Sequence, residues 1–250
     1  MKKIITLLVV ALFLITTSAG SYKIENSYSK TNESISIKSA DDAQVVEGQP
    51  DQNYGSTPYF YVQSAASGTY KNERGWIKFN LNGPLPDDAT IKKATLYLYL
   101  WKATGPDMDV ELYGSNTDDW YEHSINWNNQ PSYDLILGGK TLIKDQENIW
   151  IQFEINDYAK NNWASDKIIS LVLKATQEGS SPSKTFAFDA KEWSNGDYAP
   201  YLDIEYESGS AGQDPFTIFH FNDIHSRLLS SDFDVPELND VPIFEEVGGA

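Results

Sequence analysis

Asp223 and His225 are the residues of this sequence whose types and spacing best suit a metal ion. They close the stretch "FTIFHFNDIHSR", residues 216–227, where an apolar run ends in a carboxylate and an imidazole two residues apart. In an extended chain that spacing puts both side chains on one side and His220 on the other. Carboxylate oxygen with imidazole nitrogen suits zinc, manganese, iron or cobalt. Two ligands begin such a site without completing it, and the only other histidine, His123, lies far upstream. A second chemistry is the stacking of a sugar ring on an exposed aromatic side chain flanked by Asn, Asp or Gln. Its candidates are Trp101 at the end of a long strand, Trp193 in the loop "KEWSNGD", and Tyr113. A third is binding of a hard cation by carboxylates: Asp41 or Asp42 near the first strand and Asp189 near the last would hold a structural calcium if the two ends meet.

The elements that must position these residues are strands. "YFYVQS", "GWIKFNL", "ATLYLYLW", "MDVELYG", "WIQFEI", "IISLVLKA", "KTFAFDA" and "YLDIEYE" alternate apolar and polar residues with period two, so each has one face for a core and one for water. Turn signals such as "NGPLPDD", "ATGPD" and "SNGDYAP" separate them. One helix is predicted, over residues 155–165, with Asp157 as its cap. Eight to ten short strands without long helices predict an all-β, jelly-roll-like antiparallel β-sandwich over residues 40–207. In "NYGS", Asn53 and Gly55 suit a turn that needs a left-handed residue. Trp120 and Trp127 flank another turn and read as core or corner residues, with Glu122 between them tying the loop. Lys191 and Glu192 read as an internal ion pair.

The ends differ in kind. Residues 1–19 carry two lysines, a short apolar run and a small-residue ending, the pattern of a secretory signal cleaved after Ala19. The apolar run over residues 4–15 is shorter than the roughly 20 residues that span a bilayer as a helix. A secreted or cell-surface protein without an integral membrane span is therefore expected. Residues 20–39 are polar and unpatterned and read as a flexible spacer, and residues 208–215 as a linker. The chain has no cysteine, so its stability must come from a buried core. Its formal net charge of −17 disfavours nucleic acid, anionic membranes and, at long range, polyanionic polysaccharides.

Four ordered blocks carry a resemblance: "DDAQVVEGQPDQNYGSTPYFYV", "RGWIKFNLNGPLPDDATIKKATLYLYL", "DDWYEHSINWNNQP" and "FAFDAKEWSNGDYAPYLDIEY". Together they resemble the DNRLRE domain, which is similar to carbohydrate-binding module family 96 and occurs on exported and cell-surface proteins. The resemblance implies a β-sandwich that attaches to a polysaccharide or cell-wall glycan and performs no chemistry. A structural surface domain that binds no glycan is the alternative.

The terminal stretch resembles a second family. "FTIFHFNDIHSRL" followed by "VGGA" looks like the opening of a calcineurin-like metallophosphoesterase of the 5'-nucleotidase type, an α/β fold. The resemblance implies that Asp223 and His225 bind the first of two divalent metal ions, with the Asp bridging to the second, and that the substrate is a nucleotide or related phosphate ester. Ser226 and Arg227 stand where that family usually has Gly. Residues 216–250 hold only the beginning of such a domain, so the chain is expected to be inactive as a phosphatase and to be a truncated piece of an exported nucleotidase carrying the sandwich as its targeting module.

Overall fold

A computed structural model describes residues 30–209. Among them are eleven strands: β1 Lys30–Lys38, β2 Asp41–Val46, β3 Tyr59–Ser64, β4 Glu73–Asn80, β5 Thr90–Thr104, β6 Met108–Ser115, β7 Tyr133–Leu142, β8 Ile149–Glu154, β9 Ile168–Ala175, β10 Lys184–Asp189 and β11 Tyr201–Gly209. One helix, α1 Asn156–Trp163, precedes β9, and a 3-10 turn, Trp193–Gly196, precedes β11. The strands pair antiparallel in the order β1-β11-β5-β10-β3-β4-β9-β6-β7, with β2 on β4 and β8 on β5. The sheet curls until β7 lies against β8. This is the all-β, jelly-roll-like arrangement that the strand pattern predicts.

Alternation along the strands builds the interior. On β5, Leu96, Leu98 and Leu100 are fully buried, while Tyr97, Tyr99 and Trp101 between them point outward. The leucines pack with Ile77, Phe79, Leu171, Leu173, Phe186 and Phe188 across the curl. Each such side chain contributes about 1.5–3 kcal/mol on burial. In the absence of disulfides that packing is what outweighs the chain entropy. Gly75 on β4 is part of the same fit, because a Cβ there would lie 2.3 Å from the Phe60 ring.

A second, smaller core sits on the outside of β2, β4 and β9. The segment between β6 and β7 folds over that face and buries Trp120 and Ile125 against Val45, Trp76 and Val172. This explains why β9 is buried on both faces although one face of each strand is expected to be wet. Arg74 tacks the segment down: its guanidinium lies 4.1 Å from the Trp127 ring and pairs with Glu178 at 2.7 Å. Trp120 and Trp127 are thus structural, as their place in the sequence suggests.

Three details differ from expectation. Residues 30–38 of the expected spacer are a strand, because the short alternation "SISI" buries Ile37 and packs Ile35 on the core, and Glu33 accepts hydrogen bonds from Thr31, Tyr206 and Ser208. Asp157 does not cap α1; the N-cap position is Ile155, without a side-chain bond, and Asp157 is exposed in the first turn. Gly55 is not in the left-handed region. Glycine stands there because a Cβ would meet the Glu122 carbonyl oxygen at 2.0 Å. No helix among the described residues is long and apolar enough to cross a membrane.

Candidate functional site

The outward residues of β5 form the spine of an aromatic face. Antiparallel register sets Tyr201 of β11 and Gln152 of β8 on either side of Tyr97, and Trp150 of β8 beside Tyr99. Tyr97 and Tyr201 are stacked, with centroids 4.6 Å apart and planes 3° from parallel. Trp150 stands edge-on to Tyr99 and to Tyr201, 5.1 Å from each. Tyr198, from the loop before β11, stacks on Tyr99 at 4.3 Å.

Two strand residues further along β5, the face continues. Trp101 packs on Tyr59 of β3 at 4.7 Å, and Tyr59 on Trp193 at 5.0 Å. Trp193 is 41 % exposed and Tyr198 39 %. The backbone between them is unusual: Ser194, Asn195 and Gly196 all have positive φ, at 47°, 56° and 79°. Left-handed conformations cost non-glycine residues energy and cluster where a loop must present a side chain. Trp101 is also the residue that the β5–β10 ladder skips, since Ala187 pairs with Lys102 and Phe188 with Leu100. Such a bulge re-aims a side chain at the sheet surface.

Beneath these rings lies Asp189, the partner of Tyr59 in the β10–β3 ladder and only 2 % exposed. Burial raises its carboxyl pKa to about 6. Among the described residues its Oδ1 has no hydrogen-bond partner, and neither has the buried Trp101 Nε1.

Of the three residues expected to stack on a sugar, Trp101 and Trp193 thus come together through Tyr59. Tyr113 does not join them. It lies on β6 against Tyr133, at the second core, and its hydroxyl donates to Glu111 at 2.5 Å. The other rings of the face were not anticipated. One signal was available, the Tyr97-Tyr99-Trp101 alternation, but Trp150, Tyr198 and Tyr201 become its neighbours only through strand pairing.

The carboxylates gather differently from expectation. Asp42 does not meet Asp189 in a shared cluster; its carboxylate lies with those of Glu122 and Glu192, oxygens of the three being within 4.8 Å of one another. The cation among them is Lys191, whose Nζ is 2.8 Å from Glu122 Oε1 and also pairs with Glu192. The backbone N–H of Asp42 donates to Glu122, and Asp42 Oδ2 accepts from Ser39 Oγ and the Lys191 N–H. Burial first, then the Glu192 and Glu122 charges, raise the Asp42 pKa to about 7. Calcium takes six to eight oxygen ligands. Here two of the three carboxylates are bonded to an ammonium, so the arrangement fits an ion-pair network better than a calcium cage. The network also holds the "NYGS" turn, where Asn53 Nδ2 donates to the Glu122 and Ile125 carbonyls at 2.7 Å. The metal ligands expected in the terminal stretch, Asp223 and His225, lie outside the described residues, as does the whole of 216–250.

A family model for carbohydrate-binding module family 96 matches residues 33–206. No curated protein matches the sequence. Among solved structures, the C-terminal family 22 carbohydrate-binding module of Clostridium thermocellum Xyn10B is 10 % identical, with 62 % of this chain and 87 % of that one covered and a TM-score of 0.19. A xylan-binding domain from family 22 is also 10 % identical, with 68 % and 95 % covered and a TM-score of 0.18.

Proposed function

This chain belongs to carbohydrate-binding module family 96, and from that premise we propose that it holds a polysaccharide on the aromatic face of β8, β5 and β11. The observation that carries the reading is the gathering of aromatic rings on one sheet surface, with Trp193 and Tyr198 exposed at its border. An aromatic ring offers an apolar plane to the C–H face of a pyranose, and polar neighbours take its hydroxyls. Gln152, beside Tyr97, and Asp203, one row further along β11, are placed for the second task.

The test is retention of the full chain on a panel of insoluble polysaccharides. Trp193→Ala and Trp150→Ala are each expected to weaken binding about 30-fold, the roughly 2 kcal/mol typical of an aromatic anchor. Tyr113→Ala should bind as the unmodified chain does. Equal loss in all three variants, or retention on no polymer, would return the sandwich to a purely structural role at the cell surface.

The proposal extends to the ends of the chain on sequence grounds alone. Residues 1–19 direct export, and the segment from residue 216, with Asp223 and His225, belongs to a metal-dependent phosphoesterase that the module carries to its polymer. A secreted product beginning at Gly20 and metal-dependent phosphate release by the complete gene product are the expected results. A retained Met1, or release that chelation leaves unchanged, would remove the respective part.

A further inference from the structure

We infer that the outer edge of β7 is an interface on which a second copy of this chain docks, about a two-fold axis at Leu137. Among the described residues β7 pairs only with β6 and β8 only with β5, so β7 ends the sheet with one side of its backbone unpaired. An open groove of about 360 Å³, lined by Gly138, Gly139, Lys140, Gln152 and Glu154, separates the two strands. The exposed large aliphatic side chains among the described residues are Leu135, Ile136 and Ile143, and all three lie on β7 or directly after it. Leu135 is 51 % and Ile136 55 % exposed. The opposite edge of the sheet, β1, carries Lys30, Glu33 and Lys38 instead, as edges that stay free do. Apolar side chains gathered on an open edge mark a contact with another protein surface.

The local backbone explains how two neighbouring aliphatic residues both come to face water. A regular strand turns successive side chains to opposite faces. The β6–β7 ladder skips Asp134 and Leu137, however, and between those bulges Leu135 and Ile136 are both exposed. Beyond them the strand carries no side chain at Gly138 and Gly139, and the groove there has an apolar floor, since a Cβ at Gly138 would lie 3.7 Å from the Phe153 ring. This stretch is complementary to itself when reversed. A two-fold axis at Leu137 sets Ile136 against Gly138 of the second copy, Leu135 against its Gly139 and Asp134 against its Lys140, with each contact made twice. Large side chains then meet glycines, and each carboxylate meets an ammonium. Asp134 and Lys140 are both exposed, and neither has an ion-pair partner among the described residues. Docking one residue out of this register would set Leu135 against Lys140 and Asp134 against Thr141, so the charges select both the partner and the register.

Each copy carries a net charge of −17, so two copies repel at long range and the contact is a weak, reversible one. The experiment is sedimentation equilibrium of the full chain from about 1 to 300 µM in about 150 mM salt, where the screening length is roughly 8 Å, with melting temperature recorded for every variant. A monomer–dimer equilibrium with Kd in the micromolar range is expected. Ile136→Lys should weaken it at least about tenfold. Asp134→Lys should do the same, because it sets lysine against lysine. Asp134→Lys combined with Lys140→Asp should bring Kd back to within about threefold of the unmodified chain. Roughly 20 Å apart on one strand, the two positions cannot pair within a single copy, so that rescue reports a contact across the axis. A chain that stays monomeric throughout the range overturns the inference. So do a dimer that Ile136→Lys and Asp134→Lys leave unchanged, which places the contact elsewhere, and a double variant as weak as the single ones. A monomer whose melting temperature falls sharply with Ile136→Lys overturns it too, in favour of cover by another part of the same chain.

Discussion

Replacing Lys191 with methionine costs about 2–4 kcal/mol of folding stability at pH 8, and less at pH 5. The ammonium is the cation of a cluster in which Asp42 is 1 % and Glu122 6 % exposed. Burial alone would lower the pKa of Lys191, but its bonds to Glu122 and Glu192 raise it overall, so it is charged whenever they are. Removing one partner of a buried pair leaves the other charge without compensation, at about 3–5 kcal/mol. The Lys191 side chain keeps 26 % of its surface in water, which reduces the figure. The loss shrinks in acid because Asp42, with its pKa raised to about 7 by burial and the neighbouring carboxylates, takes up a proton and removes one of the three charges. Urea unfolding at the two pH values measures both effects. Millimolar calcium gives a second arm: it should restore part of the loss in Lys191→Met and leave the unmodified chain unchanged. A loss below about 0.5 kcal/mol at both pH values would show that solvent screens the cluster. A calcium-dependent rise in the unmodified chain would show that the carboxylates hold a dication despite the lysine.

Glu73→Gln is expected to stabilise the chain by about 2–3 kcal/mol at pH 8 and to change nothing at pH 4. Glu73 opens β4 at 4 % exposure, and no Lys, Arg or His among the described residues pairs with it. Burial raises its pKa from 4.5 to about 7. Between those values the folded chain holds a proton that the unfolded chain has released. Stability is therefore full below about pH 4.5, falls as pH rises to about 7, and is level above it. Glutamine has no proton to lose, so the variant departs from the parent only in the upper range. Asp42 and Asp189, also raised by burial, keep a residual slope of the same sign. Thermal unfolding at pH 4, 6 and 8 checks the argument. Stability that rises from pH 4 to 8 and reverses in the variant would mean that the folded state favours the ionised carboxylate.

Period-two alternation placed most of the strands, because it is local: each side chain's face follows from its parity along the chain. It failed at β1, whose polar edge residues hide a four-residue alternation. It also could not announce that β4 and β9 are covered on both faces, since the cover is the segment carrying Trp120 and Trp127, which folds back from beyond β6. Asn53, Gly55, Glu122, Lys191 and Glu192 were each visible as special residues. Their meeting in one network was not, nor was the reason for Gly55, which is the approach of a carbonyl 67 residues away.

The order of residues is enough to establish an all-β sandwich with a cysteine-free core and a strongly acidic surface, and to single out Trp101 and Trp193 as unlike ordinary core residues. Folding in three dimensions alone decided that these two share Tyr59, that Trp150, Tyr198 and Tyr201 extend their surface, and that Asp42 joins Glu122 and Glu192 while Asp189 lies under the aromatic rings. The reason is the range of the forces involved. A side chain's inward or outward turn is set by its own strand, whereas its neighbours are set by which strands pair, in what register, and where a bulge shifts that register.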